Sequence, residues 1–201
     1  MKNRIFFGIF ILLFLAACSK SYLVEVKDED GRLLEKFEIR KVDSLRHGTY
    51  QAFYPSGELM ETSTYKEGQL HGLRQLYLES GKLDLEENWK NGHFDGEFKS
   101  YYPDGTIKQT GQYADDQMTG EWKAFYENGQ LKEVVPFEEN LENGQFIEYY
   151  ENGNLKAKGI YKRGPYEEGI LELYKEEDGS LERKMRCVDG GCQTIWTPEA
   201  G

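Results

Sequence analysis

Thirty-six carboxylates and three histidines, His47, His71 and His93, are the side chains here that could move protons or hold a metal. Glycoside hydrolysis needs two particular carboxylates at a fixed separation in a cleft. Glu67, Asp95, Asp104, Glu127 and Glu151 instead fall in stretches that read as turns, where solvation is their role. His47 and His71 each precede a glycine and share one position 24 residues apart, but Asp95 and Thr119 take that position further on. Two histidines so placed could bind a metal, but their expected role is that of solvated turn residues. Cys187 and Cys192 flank the turn Val188-Asp-Gly-Gly191 and can face each other across a hairpin. A metal would need more ligands than lie nearby, and redox work usually uses a Cys-x-x-Cys spacing. No Gly-x-Ser-x-Gly, Walker, HExxH or dinucleotide motif is present. The expectation is no catalytic residue, no metal, no cofactor and no enzymatic activity.

The elements that must carry these residues follow from a period. Glycines at 48, 72, 96, 120, 144 and 169 are spaced 24, 24, 24, 24 and 25 residues apart, the mark of a tandem array of one short unit. Nine residues after each of the first five stands a second glycine (Gly57, Gly81, Gly105, Gly129, Gly153). Two further on comes an aliphatic (Leu59, Leu83, Ile107, Leu131, Leu155), and six after that an aromatic (Tyr65, Trp89, Tyr113, Phe137, Tyr161). Thr49–Tyr54 alternates and is rich in aromatics, as a half-buried strand would be. Pro55-Ser56-Gly57, Pro103-Asp104-Gly105 and Glu127-Asn128-Gly129 are turn sequences, and a second strand near 58–65 returns to the turn Lys66-Glu67-Gly68. The fold class expected is all-β: an elongated, single-layer antiparallel meander of hairpins of about 24 residues. The pattern fades at both ends, around Gly31 and after Gly169, as terminal repeats do.

These columns resemble the MORN-repeat superfamily, in particular its bacterial variant form, whose unit is similar to Gly-x-aromatic-x-x-aromatic-aromatic-x-x-Gly-x-Leu with a later Tyr-x-x-Gly. The match runs over about 22–192. The resemblance implies an interaction scaffold, and some bacterial relatives carry an antitoxin label. Arg74 in the first aromatic column, Asp116 and Asn140 in place of the late glycine, and Glu148 on the more apolar face depart from the pattern.

The N-terminus sets an address. Lys2 and Arg4 precede an apolar run from Ile5 to Leu15, then Ala16-Ala17-Cys18. That is a charged n-region and an h-region too short to span a bilayer. Leu-Ala-Ala-Cys resembles the lipobox of bacterial lipoproteins, which implies a signal peptide over 1–17, lipidation of Cys18 and a palmitate-bearing membrane anchor. Ser19 rather than Asp after the cysteine favours the outer membrane. The compartment is then oxidising, so a structural Cys187–Cys192 disulfide is the natural reading. Removal of 1–17 leaves 23 basic against 36 acidic residues, a net charge of −13. Such a balance excludes nucleic acid, which needs a basic footprint, and assigns membrane attachment to the acyl chains. The domains expected are 1–17 signal peptide, 18–47 lipidated start and degenerate capping repeat, 48–192 repeat array, and 193–201 tail.

Two aromatic rows run along the first strands. Tyr50, Phe98 and Trp122 share a face with Tyr54, Tyr102 and Tyr126, and that face is the more apolar; burial between neighbouring repeats is its role. Phe53, Tyr77, Tyr101, Phe125 and Tyr149 lie on the opposite face among Gln51, Gln75, Lys99 and Lys123, and are expected to be exposed as a binding surface. The preferred function is an acyl-anchored envelope scaffold that binds a protein of the envelope without catalysis. A carbohydrate or cell-wall module, and an envelope antitoxin or immunity protein, are the alternatives. Asp28-Glu29-Asp30 after the first strand discourages edge pairing and favours a monomer.

Overall fold

The computed structural model describes residues 9–10 and 20–198; the leader apart from Ile9–Phe10, and Cys18, lie outside the described residues. Among the described residues every regular element is a β-strand. Ile9 and Phe10 pair antiparallel with Val26 and Glu25. The chain divides into two compact units, one running to Phe94 with Pro103–Gly105, the other holding Asp95–Tyr102 and the chain from Thr106.

In the first unit, strands Ser21–Lys27, Leu33–Arg40, Arg46–Phe53, Leu59–Lys66, Gly72–Tyr77 and Leu83–Lys90 pair antiparallel with their neighbours in sequence. The second unit repeats the scheme from Ile107–Ala114 and Gln117–Phe125 through Leu155–Tyr161, Gly169–Tyr174 and Leu181–Val188 to Gly191–Trp196. Each is therefore an antiparallel meander of hairpins, the architecture expected. First strands begin earlier than the alternation suggests, at Arg46 rather than Thr49, so Gly48 lies within its strand.

Register aligns the columns. Gly48 opposes Tyr65, Tyr50 opposes Ser63 and Ala52 opposes Glu61; Gly120, Trp122 and Ala124 oppose Phe137, Val135 and Glu133 in the same way. The opposed residues share one face, and the deeply buried side chains lie there: Ala52, Trp122, Phe146, Ala157 and Cys187. Rings of the first strands lie on glycines of the adjacent second strands, Trp122 on the strand before it and Phe146 on the strand after it. Any side chain at Gly111 would overlap the Trp122 ring, and one at Gly159 would meet Phe146 at 2.7 Å. Trp122 also touches Phe98, Tyr113 and Phe137, with ring centroids 5.5, 5.1 and 6.1 Å away. Such pairs add about 0.5–1.5 kcal/mol each beyond the area they bury.

The turns explain two departures from the pattern. Glu67-Gly68, Asn91-Gly92, Asp115-Asp116 and Glu139-Asn140 all have positive φ at both residues, the two-residue type I′ geometry that matches strand twist. Asp116 and Asn140 take the glycine's place at φ 64° and 67°, as short polar side chains tolerate. Asn140 accepts from the Met118 amide at 2.7 Å through its own Oδ1 and donates its amide to the Met118 carbonyl at 3.2 Å. Gly68 makes the equivalent amide bond to Arg46, 2.8 Å, and Gly164 to Glu142, 2.9 Å.

The C-terminal expectation is corrected. Thr194, Ile195 and Trp196 belong to the strand Gly191–Trp196 rather than to a tail. The turn Asp189-Gly190, both at positive φ, returns the chain onto Leu181–Val188, and Cys187 is bonded to Cys192 directly across that pair, with Cα atoms 4.0 Å apart.

Candidate interaction face

Tyrosine hydroxyls join one repeat to the next. Tyr54 donates to the carbonyl of Tyr77 at 2.7 Å, Tyr102 to Phe125 at 2.8 Å, Tyr126 to Tyr149 at 2.8 Å and Tyr150 to Tyr174 at 3.0 Å. Sequence reading placed these rings on a face but missed the bond. Its signal was there, because this column holds tyrosine at 54, 102, 126 and 150 and never phenylalanine.

Arg74 stands in the ring column of the first unit and replaces ring packing with charge. Its Nε and Nη2 reach the two carboxylate oxygens of Glu61, both at 3.0 Å, and its Nη1 reaches Glu87 Oε2 at 3.1 Å. Trp89 Nε1 donates to the same Glu87 oxygen at 3.2 Å. Glu61 first, through its hydrogen bond, and then Glu87 hold the guanidinium's pKa above its ordinary value. Glu148, another charge on this face, pairs with Lys156 at 2.8 Å. At the start of the array Arg46 fills a box of rings, its guanidinium carbon 4.6, 4.8 and 5.4 Å from Phe37, Tyr50 and Tyr65. Burial, then Glu35 and Glu61, push the Tyr50 hydroxyl up to about 12. These polar groups are spent on one another. Among the described residues no group of three or more His, Cys, Asp or Glu side chains could hold a metal ion.

The opposite face differs from what the columns suggest. Phe53, Tyr77, Tyr101, Phe125 and Tyr149 are half-buried rather than an exposed strip, and each stands where the register of its own hairpin shifts. Tyr77 donates to Gln75 Oε1 at 3.1 Å.

In the second unit this face opens into a groove of about 680 Å³ lined by Phe125, Leu131, Val134, Pro136 and Ile147, with Glu121, Lys123 and Gln145 at its margin. A smaller hollow of about 180 Å³, between Gln145, Lys158, Ile160, Ile170 and Glu172, continues from Gln145. Ile160 and Ile170 are 47% and 41% exposed. The residues are apolar where the repeat is otherwise polar. The column of Ile147 holds Gln51, Gln75, Lys99, Lys123 and Glu172; that of Val134 holds Thr62, Glu86, Thr110, Lys158 and Lys184; that of Pro136 and Ile160 holds Thr64, Asn88, Gln112 and Arg186. Phe125 is the member of the expected aromatic row that lines this groove. Leu131 belongs to the recurring aliphatic column, whereas Val134, Pro136, Ile147 and Ile160 break theirs, a signal carried by the sequence.

At the end of the hollow Glu172 is clasped by Lys158 at 2.7 Å, Lys184 at 2.6 Å and the Tyr174 hydroxyl at 2.8 Å. Hydrogen bonds from Lys158, then Lys184, then Tyr174 lower its pKa to about 2. The carboxylate is a fixed anion and cannot serve as a proton donor near neutrality.

The recurring columns and their register have a counterpart among known families. The model for the MORN repeat variant matches residues 46–67, 70–91, 94–115, 118–139 and 142–163. The chain belongs to this family. Each MORN-variant match begins two residues before the leading glycine, and the first begins with its strand at Arg46. No curated protein matches the sequence. The crystal structure of a porin-like protein from Bacteroides uniformis is matched over 87% of this chain and 87% of that chain, at 10% identity and a TM-score of 0.24. That likeness carries no argument about a MORN-variant sheet. The MORN-variant repeat makes the chain a repeat-based interaction module.

Proposed function

We propose that this chain is a non-catalytic scaffold of the cell envelope, lipid-anchored through Cys18, that binds another protein through the apolar groove around Val134, Pro136, Ile147, Ile160 and Ile170. One observation carries the reading: Val134, Pro136, Ile147 and Ile160 are apolar in columns that are elsewhere Thr, Gln, Asn, Glu, Lys or Arg, and the exposed Ile170 adjoins them. A repeat gains nothing in folding by exposing isoleucine where threonine serves, and contiguous exposed apolar surface marks interaction sites. The anchor rests on the lipobox-like Leu-Ala-Ala-Cys and on Ser19, which favours the outer membrane. A glycan-binding role draws less support, since stacking on sugars needs exposed rings and the aromatic row is half-buried.

The test is site-directed photocrosslinking in envelope preparations. A crosslinker at Ile160 should give one discrete protein adduct, and one at Thr110, on the polar part of the same face, should give none. Equal adduct patterns from the two positions would remove the groove from the account. Crosslinks to glycan alone at Ile160 would overturn the protein partner.

A further inference from the structure

The register lays the groove and its hollow out in rows that cross the strands. In one row Lys123 opposes Val134, Val134 opposes Ile147 and Ile147 opposes Lys158. Lys158 in turn opposes Glu172, and Glu172 opposes Lys184. In the row beside it, Gln145 opposes Ile160 and Ile170 opposes Arg186. Val134, Ile147, Ile160 and Ile170 thus hold the middle, and charge holds the ends. At the first end Lys123 is paired with Glu121 at 3.4 Å. At the other end Lys158, Lys184 and Arg186 stand against one carboxylate, Glu172, in a chain with 36 acidic and 25 basic residues.

That cationic end departs from the repeat as the apolar middle does. Arg186 is the charged member of a column that otherwise reads Thr64, Asn88, Gln112, Pro136 and Ile160. Lys158 and Lys184 reach Glu172 at 2.7 and 2.6 Å, and their side chains stay 40% and 39% exposed. An ammonium carries three donors, so the clasp fixes both lysines and leaves donors for a second anion. Arg186 is exposed and adds a planar fork that fits a carboxylate bidentately. Cations beside apolar surface are complementary to a partner that brings apolar groups and negative charge together.

We propose that the groove takes an extended acidic segment of its protein partner, with two apolar residues followed by a carboxylate held at Lys184 and Arg186. The inference rests on the groove as a protein-binding site and adds the chemistry of what it binds. The rows lie two residues apart along each strand, about 7 Å, narrower than a helix of about 10 Å, so a single extended chain fits. Neighbouring strands are about 4.8 Å apart and an extended segment rises about 3.3 Å per residue. An apolar residue over Val134 and Ile147 is therefore followed about three residues later by one between Ile160 and Ile170. The carboxylate falls about two residues beyond that. The order is apolar-x-x-apolar-x-acidic. The chain's net negative charge disfavours an acidic segment over most of the surface, which sharpens the choice of this end.

The probe is the labelled peptide Ser-Leu-Ser-Ser-Leu-Ser-Glu-Ser, titrated against the full chain in detergent at low salt, where exposed charges are least screened. It should bind about tenfold more tightly than the same peptide with lysine in place of glutamate, as expected when attraction is exchanged for repulsion. Arg186→Glu should abolish that preference, with the fold kept because the side chain is exposed. Ile170→Thr, the residue its column carries at Thr49, should weaken both peptides alike. Equal binding of the two peptides, equal binding of a scrambled order, or a preference that survives Arg186→Glu would overturn the proposal. So would tighter, Arg186-dependent binding to phosphatidylglycerol vesicles, or a dimer in sedimentation that Arg186→Glu dissolves. The photocrosslink at Ile160 separates this inference from the reading beneath it. A protein adduct that forms while no peptide binds, or whose yield Arg186→Glu leaves unchanged, removes the acidic segment and keeps the groove. No adduct and no peptide binding removes both.

Discussion

The hydroxyl of Tyr126 donates to the main-chain carbonyl of Tyr149 at 2.8 Å, 23 residues ahead. The same bond recurs from Tyr54, Tyr102 and Tyr150, so in these four repeats one oxygen fixes how a hairpin sits on its successor, while Leu78 takes the position in the repeat that begins at Gly72. Tyr126→Phe keeps the ring and deletes the bond, leaving a carbonyl without its donor. The expected cost is about 1 kcal/mol, a fall in Tm of about 2–4 °C for a chain of this size. Thermal unfolding with and without Tyr150→Phe checks it. Losses that add for the two sites fit independent clasps.

Arg74 replaces a ring by a guanidinium between Glu61 and Glu87, whose side chains are 12% and 10% exposed. Arg74→Ala leaves two carboxylates facing each other with little water, and should cost about 3 kcal/mol. The triple variant Glu61→Gln, Arg74→Met, Glu87→Gln removes the whole charged set and should recover most of that. Denaturant unfolding of both variants decides it; a triple variant no more stable than Arg74→Ala would show that the charges themselves are required.

Gly111 is not held in the left-handed region, so its replacement tests packing alone. Gly111→Ala drives a methyl into the Trp122 ring and should destabilise by about 1–3 kcal/mol, as overpacking does. The emission of Trp122 should shift as the ring is displaced.

Glu172 has a pKa lowered from 4.5 to about 2 in the fold. A group whose folded pKa is depressed contributes stability above its unfolded pKa and loses it as pH falls. The contribution should be whole above about pH 4.5 and gone near pH 2. Glu172→Gln should therefore unfold at a lower temperature than the parent at pH 7, with the two converging as pH falls through that window. A difference that persists at pH 2 would mean that the side chain acts by packing.

The Cys187–Cys192 bond closes a short loop, and the chain-entropy relation gives about 2 kcal/mol for it. Replacing both cysteines by serine should raise amide exchange in Leu181–Val188 and Gly191–Trp196 first, with Tyr50 and its neighbours unaffected, as expected where each repeat contacts only its neighbours. Exchange mapped by mass spectrometry distinguishes this from a global loss.

Local rules were enough to read the hairpins from the residues alone. Turn positions such as Pro55-Ser56-Gly57 and Glu139-Asn140, the alternation of the strands and the 24-residue period are encoded within a few residues of chain. The all-β meander and the opposed columns Tyr50/Ser63 and Trp122/Val135 follow from them. What the sequence did not reveal depends on residues from 11 to 24 apart meeting side by side. The Tyr126 clasp, the seating of Trp122 on Gly111 and the half-burial of Phe53 and Tyr149 arise from how one hairpin lies on the next. That depends on register shifts and twist, which no local pattern states. The groove at Val134, Pro136 and Ile147 needs its neighbouring strands brought together before three unremarkable residues become one apolar surface. Trp196 likewise counted as tail until the turn at Asp189-Gly190 and the disulfide returned it to the sheet. Sequence determined the unit because its forces act within a hairpin; tertiary structure decided the surfaces because they are made between hairpins.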